Sequence, residues 1–157
     1  MKQTTLCYLE RNDQYLMLYR NKKANDVNEG KWVGVGGKFE DNETPEQCML
    51  REVYEETGLK VTQWSYRGIV SFISDIWPDE EMHLFVCTQW DGQQKECDEG
   101  ELRWISKRDL LEITMWEGDK IFLKMIEQEM PFFHLELSYQ GDVLVSAVCD
   151  GSPMSLR

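Results

Sequence analysis

Three glutamates close together in the chain, Glu52, Glu55 and Glu56, are the residues best placed to do chemistry. If the segment is helical, about 100° per residue sets Glu55 and Glu56 roughly 60° and 40° to either side of Glu52. Leu50, Val53, Tyr54 and Thr57 then project from the opposite side, in the i, i+3, i+4, i+7 pattern of a helix docked on a core. A carboxylate cluster on the outer face of such a helix offers hard oxygen ligands to a divalent cation, and Mg²⁺ often shares such ligands with substrate phosphates. The chemistry that fits is metal-dependent reaction at phosphate. Exposed like charges at i, i+4 repel by only about 0.2–0.5 kcal/mol, so a solvated acidic helix is the competing reading of the glutamates alone.

Several signals place this helix. Thr44 is a favoured N-cap, Pro45 suits the first helical position, Gln47 completes a capping box, and Gly58 suits the left-handed residue after the last turn. Before it, a short strand at residues 32–35 runs into Gly36 and Gly37, where the backbone can approach a metal or a phosphate without interference from a Cβ. Arg51 stands beside the glutamates and can orient one by a two-pronged bond, while Glu43, in the preceding loop, can fold back onto Arg51. Residues 4–10 and 15–20 read as strands joined by the turn Arg11-Asn12-Asp13, and 21–30 as an exposed polar loop. Strands are expected at 64–74, 82–90 and 102–105, with an acidic loop between the first two. A second helix is expected at 119–130, closed by Pro131, and a hairpin at 133–139 and 143–148 turns at Gln140-Gly141-Asp142. Strands interleaved with two helices imply a mixed α/β sheet packed between helices.

The 157 residues suffice for one domain, 1–157, with a real core. A net charge of −12 argues against a nucleic-acid duplex as partner, since phosphate binding runs on Lys and Arg; a free nucleotide whose phosphates are shielded by metal remains compatible. The first residues lack the apolar core of a secretory signal, and no apolar run approaches the roughly 18 residues that a membrane span needs. Five scattered cysteines, odd in number and without C-x-x-C spacing, read as reduced thiols of a cytoplasmic protein and not as a zinc site. His83 and His134 match no catalytic spacing.

The full spacing is Gly37-x5-Glu43-x7-Arg51-Glu52-Val53-x-Glu55-Glu56-x-Gly58-Leu59. Seven positions demand a single residue type, so at roughly 7% usage per type a chance match is on the order of 10⁻⁸ per starting point. The segment resembles the box of the Nudix hydrolases at every position. That resemblance implies an α/β/α sandwich and hydrolysis of nucleoside diphosphates linked to another group. It also implies a divalent metal, Mg²⁺ or Mn²⁺ in its place, held by the Gly36 carbonyl and by Glu52, Glu55 and Glu56.

Outside the box, Lys31 to Lys38, Asp98-Glu99 with Trp104, Met115 to Asp119, and the ending around 132–142 are similar to the MutT/MutX-type 8-oxo-dGTP diphosphatases. By this likeness Glu99 is a further metal ligand or the general base, Trp116 stacks on a purine, Asp119 bonds its edge, and Lys23 matches a substrate-contacting lysine; Lys38 follows the glycine pair, where a phosphate could lie. The plainer alternatives are a solvated loop acid for Glu99, a core or rim aromatic for Trp116, the N-cap of the second helix for Asp119, and surface lysines. Two positions depart from the pattern: Val33 replaces an asparagine that reads the base in the animal enzymes, and Gly118 replaces one of two adjacent aspartates. The expected activity is a pyrophosphohydrolase cleansing the nucleotide pool of 8-oxo-dGTP, as a monomer or weak dimer. The rivals are another Nudix substrate (ADP-ribose, a dinucleoside polyphosphate, capped RNA) or a non-catalytic nucleotide-sensing domain. Which of Glu52, Glu55 and Glu99 acts as base stays open.

Overall fold

The computed structural model describes residues 1–156. The two central strands are apolar without alternation, as strands covered on both faces must be. In β1 (Lys2–Arg11), Leu6 and Tyr8 enter one core while Cys7 and Leu9 enter another; in β5 (Glu80–Asp91), Leu84 and Val86 oppose Phe85 and Cys87 in the same way. The first core is closed by α2 (Glu117–Glu127) through Phe122, Leu123, Met125 and Ile126, and the second by α1 (Pro45–Thr57) through Met49 and Val53. The result is a helix on each face of one sheet, the α/β/α arrangement expected.

The remaining strands are β2 (Gln14–Tyr19), β3 (Trp32–Val33), β4 (Lys60–Ser74), β6 (Glu101–Ser106), β7 (Phe133–Gln140), β8 (Val143–Cys149) and β9 (Ser152–Pro153). They run in the order β3-β2-β1-β5-β4-β7-β8-β9, with β6 also paired to β2. The pairs β1–β5 and β4–β7 are parallel and the others antiparallel, so the sheet is mixed. Among the described residues, no helix is long and apolar enough to cross a membrane.

Several boundaries differ from expectation. The strand at 32–35 ends as a ladder at Val33, and the chain then runs along β1: Thr5 N–H donates to Gly37 O at 2.9 Å and Val35 N–H to Cys7 O at 2.9 Å. This anchoring carries the glycine pair over α1. The second helix begins at Glu117, with Trp116 as its N-cap, so Asp119 lies inside the first turn and is not the cap. A 3₁₀ turn at Lys107–Glu112 and the short β9 had no clear sequence signal.

Helix α1 has the anticipated ends. Thr44 Oγ1 accepts from Gln47 N at 3.1 Å, Gln47 Oε1 accepts from Thr44 N at 3.0 Å, and Gly58 N–H donates to Tyr54 O at 2.8 Å. Its faces differ from the expected ones. Tyr54 is 49% exposed and Leu50 only half-buried, whereas Cys48, Met49, Val53, Thr57 and Glu56 are buried. The helix is rolled so that part of its acidic side turns inward, because the chain at 34–38 covers that side.

Candidate active site

A cleft of about 410 Å³ opens between this covering segment, the loop after β2, and the start of α2. Gly36, Gly37, Glu52, Glu56 and Glu99 line one part of it. Asn28, Val33, Phe72, Met82, Trp116 and Asp119 line another. Residues separated by more than eighty positions in the chain thus share one cavity.

The carboxylate part is built on α1. A Cβ on Gly37 would lie 2.5 Å from the Glu52 carboxyl, so only glycine leaves that group its place. Glu56 is 7% exposed, and its Oε2 accepts from Gly36 N–H at 3.1 Å. Burial, with the nearby charges of Glu99 and Glu52, holds the Glu56 carboxyl well above the usual range. Glu52 is raised as well, chiefly by burial, against the opposing pull of Arg51.

Arg51 ties the cluster together. Its Nε and Nη2 meet Glu43 Oε2 and Oε1 at 2.7 and 2.9 Å, and Nη1 meets Glu52 at 2.8 Å and Glu55 at 3.1 Å. Nη2 also donates to Lys38 O at 2.9 Å, fastening the glycine segment to the helix. The bond to Arg51 pulls the Glu43 carboxyl down to about 2. Glu55 is set apart: its side chain is 54% exposed and does not line the cleft.

Glu99 reaches the cluster from the loop before β6. Arg20, at the end of β2, holds it through Nη1 to Oε2 at 2.7 Å while donating through Nε to Asp26 at 2.6 Å. Burial opposes the Arg20 charge, but Asp26 and Glu99 outweigh it and the guanidinium stays firmly charged. Arg20 is a site residue that sequence reading missed. Nothing in local spacing links it to a partner 79 residues away.

Among the described residues, no three acidic, His or Cys side chains are already drawn into a ligand cage, since Glu52 is turned to Arg51 and Glu99 to Arg20. The donor set nevertheless suits a hard divalent cation. It is all oxygen, and Glu99 lies close enough to Glu56 to raise the cost of charging it.

The other part of the cleft is aromatic and apolar. Trp116 packs in the core: it is 4% exposed and meets Phe72 and Tyr139 edge-on, and it also lines the cavity. Lys31 Nζ lies 4.2 Å from the centre of its ring, and the indole N–H donates to Asn28 Oδ1 at 2.9 Å. Asp119 is 5% exposed and its carboxyl has no hydrogen-bond partner among the described residues. Burial, with a smaller push from Glu80 and a counter-pull from Lys31, raises it to about 8. The rise favours the protonated acid, a form that can donate as well as accept.

Gly118 has a packing reason. A Cβ there would stand 2.4 Å from Leu137 Cδ1 and 2.6 Å from the Tyr139 hydroxyl, which accepts from Gly118 N–H at 2.8 Å. A second aspartate has no room. The loop at 21–30, expected to be exposed, is in part a wall of the cleft: Asp26, Val27 and Asn28 are half-buried and line it. Lys23 and Lys38 also border the cavity.

The chain is thus a mixed sheet between two helices, with one cleft lined by both carboxylates and aromatic side chains. The NUDIX domain family matches residues 2–126, and the chain belongs to it: this is a Nudix hydrolase. Such enzymes generally use a divalent metal and act on nucleotide small molecules. An oxidized purine nucleoside triphosphate hydrolase of Danio rerio is 32% identical over 124 residues, covering 77% of this chain and 78% of the relative. The uncharacterized Nudix hydrolase YvcI of Bacillus subtilis is 28% identical over 144 residues, 88% and 87% of the two chains. The crystal structure of a mutator MutT protein from Bacillus halodurans superposes with a TM-score of 0.85 at 30% identity, over 98% of this chain and all of that one.

Proposed function

We propose that this enzyme is a Mg²⁺-dependent pyrophosphohydrolase of oxidised purine nucleoside triphosphates, converting 8-oxo-dGTP to 8-oxo-dGMP and pyrophosphate in the cytoplasmic nucleotide pool. The observation that carries the reading is Asp119: a buried, unpartnered carboxyl beside an indole ring, in the same cleft as Glu52, Glu56 and Glu99. An uncharged acid offers both donor and acceptor to a purine edge, and a site built to hydrogen-bond a base discriminates strongly against bases that leave it unpaired. Stacking on an aromatic ring contributes about 1–3 kcal/mol per base. The Danio rerio relative, whose name gives an oxidised purine nucleotide as substrate, supports the same class.

Glu52, Glu56, Glu99 and the Gly36 carbonyl would hold the metal, and Glu55, joined to Glu52 through Arg51, would complete the set. When bound, a divalent cation neutralises charge on the pyrophosphate oxygens and lowers the pKa of water. Lys23 and Lys38 bind the phosphates at the cleft wall. Arg51 and Arg20 position Glu52 and Glu99 by direct ion pairs. A carboxylate of the cluster takes the proton of the attacking water, and the acids share that titration.

A panel of 8-oxo-dGTP, dGTP, ADP-ribose, a dinucleoside polyphosphate and capped RNA, with product analysis, tests the reading. The expected outcome is preferred release of pyrophosphate from 8-oxo-dGTP. Turnover of dGTP or ADP-ribose as efficient as that of 8-oxo-dGTP would refute it, as would no hydrolysis of any of them.

A further inference from the structure

We propose that Asn28 reads the base: its side-chain amide nitrogen donates to a carbonyl oxygen of a purine lying against Trp116. The inference rests on the purine-nucleotide reading above and adds a recognition residue to it.

The geometry fixes which way the amide points. An indole N–H can only donate, and Trp116 Nε1 sits 2.9 Å from Asn28 Oδ1. The oxygen of the amide is therefore committed to the indole, and the nitrogen, with its two protons, is left over. No hydrogen bond from that nitrogen exists among the described residues, and Asn28 is one of the residues that line the cleft.

The backbone beneath it is held. Asn28 N–H donates to Asp26 Oδ1 at 3.3 Å, and Asp26 is gripped by Arg20 at 2.6 Å. A donor with a fixed direction, on a loop tied to the carboxylate cluster, is pre-organised for recognition.

Its neighbours sharpen the role. Val33, Phe72 and Met82, which line the same cleft, present no side-chain donor, and among the described lining residues Asn28 is the one side-chain amide. A base in this space therefore meets its neutral N–H₂ donor at Asn28. Such a donor suits the carbonyl oxygens of an oxo-purine. It faces the 6-amino group of adenine with hydrogens against hydrogens.

The test is a selectivity measurement on N28D and N28A. Aspartate is isosteric and still accepts the indole N–H, but it turns the leftover donor into an acceptor. Alanine removes the donor without adding charge. The kcat/KM ratio of 8-oxo-dGTP over dATP is expected to fall at least tenfold in both variants. Thermal melting reports whether each is folded, and Trp116 fluorescence whether N28D keeps the indole contact.

A folded N28D and N28A whose ratios both stay within threefold of the wild type would overturn the assignment of Asn28. If the wild type itself cleaves no purine triphosphate, the proposed function falls first, and the assignment with it. Should N28A fail to fold, N28D decides the matter alone.

Discussion

Replacing Asp119 by asparagine isolates one buried group whose cost can be worked out. In the folded protein Asp119 titrates at about 8, against 3.8 for the free side chain. Between those values the native chain keeps a proton that the unfolded chain has lost. The stability this group leaves intact is fully present below the unfolded value and is lost progressively as pH rises through the folded one. Each pH unit in that window removes about 1.4 kcal/mol, so from pH 5 to pH 7 the loss is on the order of 2–3 kcal/mol.

The substituted side chain carries no charge at any of these pH values, so D119N should gain on the wild type by that amount, and the gain should level off above about pH 8. For a chain of this length it corresponds to a relative shift of roughly 5–10 °C in melting temperature. Urea melts of both proteins at pH 5, 6, 7 and 8 measure it. Parallel stability curves across the range would refute the picture of an acid held neutral by burial.

Other substitutions probe the same structure. E56Q should reduce kcat by at least about 100-fold, the usual weight of such a group, without lowering the melting temperature, because glutamine relieves the crowding with Glu99. Mg²⁺ should raise the melting temperature of the wild type more than that of E56Q, and a chelator should abolish turnover; equal Mg²⁺ shifts would exclude Glu56 as a ligand. R51K cannot reproduce the paired bonds to Glu43 or the reach to Glu52 and Lys38 O, and should cost about 10–100-fold in activity. G118A forces a methyl against Leu137 and Tyr139, and a loss of about 1–3 kcal/mol in denaturant melts is expected. E80Q removes the second-largest upward push on Asp119, so the pH at which the D119N advantage levels off should move down.

The acidic helix and its caps were legible because they are local. The capping box spans four residues, Gly58 sits where the last turn needs it, and Arg51 with Glu43 lies within one loop's reach of the glutamates. The order of β1, β2 and α1 followed from apolar runs and turn residues for the same reason. Misreadings came where distant segments meet. The roll of α1, which buries Glu56 and exposes Tyr54, is set by the chain at 34–38 lying across it. The early start of α2 is set by Trp116 docking among Phe72, Tyr139 and Asn28.

The acidic helix and its motif are written in one contiguous stretch, residues 37–59, since helical geometry alone sets glutamates at these spacings near one another. What surrounds that helix was decided only by the tertiary structure. Arg20 reaching Glu99, the raised pKa of Asp119 and the orientation of Asn28 each depend on contacts between segments far apart in the chain. Desolvation and a directed hydrogen bond arise only when those segments pack, and no residue pattern along the chain encodes them.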